Sequence, residues 1–273
     1  MSSLRHNSGL RIAIACGGTG GHLFPGLAVA EKLQEKGCVL TLLVSPKEID
    51  QQAVKSAQGM EVVTLPAVGL TRGQLLAFTR GFRQSYRSAR RLFEQAPPQA
   101  LLAMGGFTSA PPLLAARKSG AQTFLHESNT IPGRANRWLS WVVERAFVGF
   151  PSAAKRLHTR AVVVTGTPVR PQFKQADAAA CRRALGFEPG QPVVLVMGGS
   201  QGASGINELV TRALPAFSKA APHLQWFHLT GPKDISKVQQ AYEALGLRAK
   251  VEAFFSDMGL ALGAGSLAVS RAK

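Results

Sequence analysis

The segment RIAIACGGTGGHLFPG, Arg11–Gly26, contains the pattern that decides the fold. Its first part, Arg11–Cys16, is a short apolar run that predicts a buried β-strand. Four glycines follow within Gly17–Gly21, and the pattern of Pro25–Lys36 predicts a helix with proline in its first turn. A glycine loop between a strand and a helix exposes backbone N–H groups at the positive end of the helix dipole. The segment therefore predicts a loop that binds phosphate or another anion.

Strands and helices alternate along the rest of the first half. Near-continuous apolar strands of this kind are typical of a parallel sheet with helices on both faces. The predicted strands are Arg11–Cys16, Val39–Val44, Glu61–Leu65, Ala100–Met104, Gln122–Leu125, Arg145–Val148 and Val162–Thr165.

A break at Gly166–Pro171, which contains two prolines, predicts a linker. After it, the alternation resumes with strands and helices at Gln191–Met197, Ala203–Lys219, Leu224–Leu229, Ile235–Leu245, Lys250–Phe254 and Leu267–Ser270. A second glycine-rich turn, Gly198–Gly202, follows the first of these strands. The pattern predicts an α/β fold of two doubly wound Rossmann-like domains, residues 1–168 and 169–273. Since the chain ends directly after a strand, we expect the second domain to be incomplete.

The first glycine loop differs from two common nucleotide-binding motifs. A Walker loop would end in Gly-Lys-Ser/Thr, but His22 and Leu23 occupy that place. A dinucleotide fingerprint needs a glycine where Leu23 stands and an acid after the second strand, where the chain has Ser45–Lys47. A nicotinamide oxidoreductase is therefore disfavoured. A tight turn that binds nothing stays open, although it explains one or two glycines better than four.

Two further loops follow strands of the first half, at Met104–Pro111 and at His126–Asn129. Because the carboxyl ends of parallel strands share one edge of a sheet, these loops and the first one predict a floor for an anionic, hydroxyl-rich ligand. His22 is a candidate for a role at this ligand, or a helix-start residue satisfied by backbone. Glu127 is a rival candidate, or it forms with His126 a polar pair that caps the loop.

The net charge of +17 predicts an anionic partner. On a helix over Gln74–Phe93, apolar and basic residues occupy opposite faces. The apolar face is Phe78, Phe82, Tyr86, Ala89 and Phe93, and the basic face is Arg80, Arg83, Arg87 and Arg91. Three roles of the basic face stay open: a solvated surface, binding to an anionic membrane with Leu70, Leu75, Leu76 and Phe78 at the interface, and binding to RNA. No recognisable nucleic-acid module accompanies the charge.

The apolar runs are strand-sized, shorter than the roughly 20 residues of a membrane-spanning helix. The first residues lack the apolar core and cleavage site of a signal peptide, so we expect a cytoplasmic protein. Three cysteines, Cys16, Cys38 and Cys181, lie in or beside apolar segments without Cys-x-x-C spacing and predict buried, reduced thiols.

The loops, in their order, resemble those of the MurG family, whose enzymes transfer N-acetylglucosamine from its UDP donor to the lipid-linked muramoyl-pentapeptide of cell-wall synthesis. The matching stretches are Gly17–Gly26, Met104–Phe107, His126–Asn129 with Asn136 and Trp138, Gly166–Arg170, Gly198–Gly202 and Ser270–Ala272.

The resemblance implies an inverting GT-B glycosyltransferase that needs no metal or other cofactor, at the cytoplasmic face of the plasma membrane. For the base that this transfer needs, His22, at a helix start beside the glycine loop, is the first candidate and Glu127 is its rival. The implied substrate-binding residues are Thr19, Gly20, Gly21, Gly105, Gly106, Asn129, Asn136, Arg170, Ser200, Gln201, Gly202 and Phe255. The implied partners are UDP-N-acetylglucosamine, the undecaprenyl-diphosphate-linked acceptor and an anionic membrane, not nucleic acid.

The chain departs from the family pattern at three places. Phe107 and Ser128 stand where family members often carry tyrosine and glutamine, and the chain ends at Lys273 where the family motif continues. The resemblance therefore leaves open an inactive or acceptor-binding fragment, and a UDP-sugar epimerase of the same fold is a further alternative.

Overall fold

The computed structural model describes residues 9–47, 50–51, 57–66, 75–170, 173, 177–199 and 202–270. The chain divides into two compact units, Met1–Arg170 and Pro171–Lys273. This division lies within the predicted linker, two residues after the boundary predicted at residue 168.

The first unit contains one parallel sheet with the order β3-β2-β1-β4-β5-β6-β7. Its strands are β1 (Arg11–Ala15), β2 (Val39–Val44), β3 (Glu61–Thr64), β4 (Ala100–Ala103), β5 (Gln122–Glu127), β6 (Arg145–Val148) and β7 (Val162–Val164). All seven predicted strands are confirmed, with ends that differ by at most two residues.

Helices cover both faces of this sheet, as the continuous apolar strands predict. The helices are α1 (Gly20–Gln34), α2 (Leu75–Gln95), α3 (Ala110–Lys118), α4 (Arg134–Leu139) and α5 (Pro151–Ala154). Along β1, Ala13 and Ala15 belong to a core cluster with residues of α2 and α3, whereas Ile14 belongs to a cluster with α1. Successive side chains of a strand point to opposite faces, so one short strand supports two cores.

Helix α1 begins earlier than predicted. The prediction placed its start at Pro25, but the helix begins at Gly20, with Thr19 as its N-cap residue. Proline lacks the N–H that would bond to the carbonyl of Gly21, and glycine is a poor helix former. Burial of Leu23 and Leu27 against the sheet outweighs these local costs.

Helix α2 confirms the predicted separation of faces. Ala89 and Phe93 are buried, and Phe82 and Tyr86 pack against the same cluster. The arginines of the opposite face, Arg80, Arg83, Arg87 and Arg91, are exposed. Among the described residues, no helix is long and apolar enough to span a membrane.

The strand order places a topological switch between β1 and β4. From these neighbours, β2 and β3 extend to one side and β5, β6 and β7 to the other. Ligands of doubly wound folds bind at the carboxyl ends of the strands at such a switch. The glycine loops after β1 and β4 flank this position.

The second unit contains a parallel sheet with the order β10-β9-β8-β11. Its elements are α6 (Ala178–Ala184), β8 (Val193–Met197), α7 (Ser204–Ala220), β9 (Gln225–Leu229), α8 (Ile235–Glu243), β10 (Ala249–Glu252), α9 (Met258–Ala264) and β11 (Leu267–Ser270). The predicted strands and helices of this half are confirmed, and so is the fold class of two doubly wound units.

The three cysteines, all among the described residues, are buried and free of disulfides, as predicted. Burial, with a smaller contribution from the charge of Asp50, raises the pKa of Cys16 to about 12. The Cys16 thiol beneath the glycine loop therefore stays protonated and unreactive at neutral pH.

Candidate active site

The glycine loop Gly17–Gly21 leaves β1 at the switch and leads into α1. Gly18 has a φ of +113°, which side-chain-bearing residues rarely adopt. Gly17 lies so close to the end of β2 that a Cβ there would fall 2.3 Å from the Ser45 nitrogen. These two glycines are thus required by the shape of the loop, while Gly20 and Gly21 begin the helix with N–H groups that have no acceptor inside it.

His22 lies where the loops after β1 and β4 meet. Its Nδ1 is 3.2 Å from the hydroxyl oxygen of Thr19. A Cβ on Gly105 would fall 2.9 Å from His22 Nε2, and one on Gly106 would fall 3.3 Å from His22 Cε1. The structure thus brings together two of the predicted loops, with one imidazole packed across both.

Glu127, at the end of β5, has a carboxylate whose two oxygens each accept two hydrogen bonds. Its Oε1 accepts from the backbone N–H and side-chain amide of Asn129, at 2.8 and 2.7 Å. Its Oε2 accepts from the Gly133 N–H and the Asn136 amide, both at 2.9 Å. The side chain is buried, so this carboxylate fixes the loop between β5 and α4.

The two asparagines predicted in this region differ in exposure. Asn129 is exposed beside the loop. Asn136 is buried, and its amide also donates to the His126 carbonyl. The structure therefore places Asn129 at the surface of the site and Asn136 beneath it.

His126 joins the end of β5 to the segment before the unit boundary. Its Nε2 lies 3.1 Å from the Gly166 carbonyl oxygen, which makes Nε2 the protonated nitrogen. Its Nδ1 then accepts from the hydroxyl of Ser128. Burial lowers the pKa of His126, so the ring is neutral near pH 7.

Arg170 is the last residue of the first unit and contacts α1. Its guanidinium carbon lies 4.6 Å from the centre of the Phe24 ring, within the range of a cation–π contact. Phe24 follows His22 by two residues. Arg170 therefore brings a half-buried positive charge to the start of α1.

The glycine turn of the second unit follows β8 and packs on the end of β9. A Cβ on Gly202 would fall 2.0 Å from the Thr230 carbonyl oxygen, so only glycine fits there. Ser200 and Gln201, two of the predicted substrate-binding residues, lie outside the described residues.

Two adjacent aromatic rings follow β10, with different surroundings. Phe255 packs edge-on against Phe227, with ring centroids 5.1 Å apart, and joins the core of the unit. Phe254 is 62% exposed. The sequence prediction selected Phe255, which is half-buried, and Phe254 is the more exposed of the two rings.

A buried polar network lies next to the end of β9, on which the glycine turn Gly198–Gly202 packs. His228 Nδ1 is 3.1 Å from the Tyr242 hydroxyl, and His228 Nε2 is 3.1 Å from Asn207 Oδ1. The Asn207 amide donates to the Thr230 carbonyl and to Asp234. Burial lowers the pKa of His228 to about 4, so a neutral ring links α7, β9 and α8.

Two residues that the sequence did not single out as site residues, Asp50 and Lys47, contact the glycine loop from beyond β2. The Asp50 carboxylate accepts from the Gly18 N–H at 2.7 Å and is fully buried. Lys47 Nζ donates to the Gly18 carbonyl oxygen at 2.8 Å. The only sequence signal was an acid six residues beyond the end of β2.

Both halves of the chain match models of one protein family. The glycosyltransferase family 28 N-terminal domain matches residues 12–148, and the family 28 C-terminal domain matches residues 193–272. The first match covers β1 to β6 of the first sheet, and the second covers the four strands of the second sheet.

Curated relatives agree with this match. A UDP-N-acetylglucosamine--N-acetylmuramyl-(pentapeptide) pyrophosphoryl-undecaprenol N-acetylglucosamine transferase of Geobacter sp. (strain M21) is 34% identical over 96% of this chain and 71% of its own length. A protein of the same name from Coxiella burnetii (strain Dugway 5J108-111) is 36% identical over 96% of this chain and 72% of its own.

Solved structures show the same architecture. The crystal structure of Acinetobacter baumannii MurG superposes with a TM-score of 0.69 at 26% identity, over 96% of this chain and 71% of that one. A UDP-GlcNAc 2-epimerase from Neisseria meningitidis has a TM-score of 0.66 at 12% identity, over 96% of this chain and 77% of that one, which shows a shared fold alone. The fold is that of GT-B glycosyltransferases. The chain belongs to glycosyltransferase family 28 and, within it, to the MurG family.

Proposed function

We propose that the chain transfers N-acetylglucosamine from UDP-N-acetylglucosamine to the C4 hydroxyl of undecaprenyl-diphosphate-linked N-acetylmuramoyl-pentapeptide. The observation that carries this proposal is the placement of His22 across two glycine loops at the switch of the first sheet. The names of the relatives, at 34–36% identity, give the donor and the acceptor.

The proposed reaction is a single displacement. The muramoyl hydroxyl oxygen bonds to the anomeric carbon of the sugar as the bond from that carbon to UDP breaks. The electron pair of that bond leaves with the diphosphate, and the hydroxyl proton passes to a base. Backbone N–H groups at helix starts are suited to stabilise the negative charge that develops.

His22 is the proposed base. A base needs a lone pair that can accept the proton of the acceptor hydroxyl, and a neutral imidazole carries one on a ring nitrogen. The oxygens of Glu127 already accept hydrogen bonds from Asn129, Gly133 and Asn136, which makes this carboxylate a poor base. We therefore assign Glu127 and the buried Asn136 to the support of the loop, and Thr19 to the orientation of the His22 ring.

The remaining predicted residues divide between acceptor and donor. We assign Gly20, Gly21, Gly105 and Gly106 to the acceptor diphosphate, because N–H groups of glycine loops suit a phosphate. The donor contacts are Asn129, Arg170, Ser200, Gln201 and Gly202. For the uracil we replace Phe255 by Phe254, because an exposed ring can stack on a flat base whereas Phe255 packs on the core.

We further propose that α2 contacts an anionic membrane at the cytoplasmic face, rather than nucleic acid. An open groove of about 570 Å³ on this helix is lined by four arginines, Arg83, Arg87, Arg90 and Arg91, together with Phe82, Tyr86, Glu94 and Leu114. Leu76, at the start of the helix, is 87% exposed and could enter the apolar interface. Of the other residues predicted at the interface, Phe78 contacts Phe107 and Phe82 instead, and Leu70 lies outside the described residues.

Calorimetric titration of the 273-residue chain with UDP-N-acetylglucosamine, and with UDP as the control ligand, is the first test. We expect saturable binding that Phe254→Ala weakens and Phe255→Leu preserves. Release of UDP in the presence of lipid-linked acceptor would then establish transfer. Binding of acceptor-containing vesicles without UDP release would instead favour a non-catalytic acceptor-binding protein. Conversion of the donor to an epimeric UDP-sugar without an acceptor, with no net release of UDP, would favour a UDP-sugar epimerase.

A further inference from the structure

We propose that Asp50 is a positioning residue that holds the glycine loop of the first unit in its ligand-binding shape, with Lys47 as its counterpart. The Asp50 carboxylate touches neither His22 nor the helix start, so it acts through the Gly17–Gly18 peptide. This inference rests on the proposed function for its kinetic test, but its structural test is independent of activity.

The peptide between Gly17 and Gly18 is held at both ends. Its N–H donates to Asp50 Oδ2 at 2.7 Å, and its carbonyl oxygen accepts from the Thr108 hydroxyl at 2.7 Å. The carbonyl of the next peptide, Gly18–Thr19, accepts from Lys47 Nζ at 2.8 Å. Three side chains from two other loops thus fix three of the four polar groups of these consecutive peptides.

Glycine pairs need such external anchors. A glycine has more backbone freedom to lose than any other residue, so Gly17 and Gly18 do not define the turn by themselves. The φ of +113° at Gly18 is one of several accessible values, and a charge-assisted hydrogen bond to a buried carboxylate selects it. With the turn fixed, the N–H groups of Thr19, Gly20 and Gly21 remain for an anion.

The Asp50 carboxylate beside the glycine loop cannot serve to attract an anionic ligand. A negative charge next to a phosphate loop opposes the ligand. The same oxygen of Asp50 also accepts from the backbone N–H and the hydroxyl of Ser45, at the end of β2. The carboxylate therefore ties the loop after β1 to the loop after β2, and the Lys47 ammonium on the Gly18 carbonyl offsets part of its charge.

The positioning extends to His22 through Thr19. Thr19 directly follows the fixed peptides, is the N-cap residue of α1, and its hydroxyl contacts His22 Nδ1. A shift of the Gly18 peptide would therefore move the contact that orients the imidazole. A displacement of about 1 Å in a catalytic group can cost on the order of 100-fold in rate.

Two variants of Asp50 separate positioning from folding. Asp50→Ala removes the acceptor of the Gly18 N–H, and we expect kcat to fall about 10- to 100-fold. Asp50→Asn keeps an acceptor oxygen, and we expect it to restore most of the rate. In both variants, the affinity for UDP in calorimetry stays within about twofold of the parent chain, because the donor is assigned to other groups.

Matched controls use groups of the same type elsewhere. Asp177→Ala removes a carboxylate that accepts a backbone N–H at 2.9 Å at the start of α6, and we expect no change in kcat. Lys47→Met removes the ammonium from the Gly18 carbonyl at an exposed position, and we expect a loss of less than about tenfold. Lys36→Met changes another exposed lysine and should leave kcat unchanged.

The independent readout is the amide resonance of Gly18 in a chain labelled with 15N-glycine. A short hydrogen bond to a carboxylate shifts this proton downfield, and we expect the shift to be lost in Asp50→Ala.

A folded Asp50→Ala variant with the parent kcat, an unchanged Gly18 resonance, or a parallel loss of UDP affinity would overturn the proposal. If Asp50→Ala does not fold, Asp50→Asn decides: a Gly18 amide resonance that does not move when a neutral amide replaces the carboxylate overturns the proposal. If the parent chain transfers no sugar, the proposed function fails, and the Gly18 resonance still decides the role of Asp50.

Discussion

The imidazole of His22 packs directly on the backbone of Gly105, since a Cβ at Gly105 would lie 2.9 Å from His22 Nε2. The two residues belong to loops that follow neighbouring strands, β1 and β4. Their contact joins the two loops at the switch of the sheet, where a doubly wound fold binds its ligand.

Gly105→Ala should therefore displace His22. The new methyl group meets the ring, and the φ of +118° at this position disfavours alanine. We expect a loss in kcat of about 100-fold and a loss in the free energy of unfolding of about 1–2 kcal/mol. Gly120→Ala is the matched control, because Gly120 has a φ of +88° with open space around it. A comparable loss of kcat in both variants would show that backbone strain, not the His22 contact, is responsible.

Replacement of His22 itself tests its role as base. His22→Ala should lower kcat by about 10²- to 10⁴-fold, the usual contribution of a general base, while UDP affinity is preserved. Thr19→Val removes the contact to Nδ1 and should have a smaller effect of the same kind. Steady-state kinetics and calorimetry are the measurements, with the exposed His223 changed to alanine as the control. Unchanged kcat in His22→Ala would move the role of base to another residue.

Periodicity and glycine content made much of this architecture predictable from the sequence. Apolar runs identified every strand of both sheets, and loops after strands identified the region of the site. Positions set by tertiary contacts were not predictable. The start of α1 depends on burial of Leu23 and Leu27, and the role of Asp50 depends on how closely the ends of β1 and β2 approach.

The same limit applies to the choice between neighbouring side chains. In the sequence His22 was the first candidate and Glu127 stayed open as its rival, because the hydrogen bonds that occupy Glu127 come from a loop whose path has no periodic signal. The sequence likewise does not distinguish the adjacent aromatic residues Phe254 and Phe255. They differ because the ring of Phe255 packs against Phe227.

Glu127→Gln tests whether this carboxylate is structural. An amide group would turn its NH₂ toward two donors, so at least two hydrogen bonds are lost at a buried site. We expect a loss in the free energy of unfolding of about 1–3 kcal/mol, measured by chemical denaturation. Glu144→Gln is the control, because Thr123 donates to one oxygen of Glu144 and an amide can keep those bonds. A stable Glu127→Gln chain with greatly reduced kcat would instead assign Glu127 a catalytic role.

The basic face of α2 should determine membrane binding. Changing Arg83, Arg87 and Arg91 to glutamate should reduce flotation with phosphatidylglycerol vesicles at least tenfold, since each basic residue near an anionic surface contributes about 1 kcal/mol. Binding to neutral phosphatidylcholine vesicles should be weak in both chains. The control carries the same charge change in the second unit, at Arg212, Lys219 and Lys233. Equal losses in the two triple variants would show that net charge alone governs binding.

The buried His228 should make the second unit sensitive to acid. Burial lowers its pKa from 6.5 to about 4, so between these values the unfolded chain binds a proton that the folded unit excludes. The contribution of the neutral His228 to the free energy of unfolding is therefore complete above pH 6.5 and is lost as the pH falls toward 4. Its size is on the order of 3 kcal/mol.

Chemical denaturation at pH 7 and pH 4.5 measures this contribution. His228→Gln loses the imidazole contacts to Asn207 and Tyr242, so we expect a lower stability than that of the parent chain at pH 7. Because glutamine does not titrate, we expect the stability of this variant to change less with pH. The imidazole proton resonances of His228 report its protonation directly. A His228 ring that titrates near pH 6.5 in the folded chain would contradict the exclusion of the proton by the Asn207–His228–Tyr242 network.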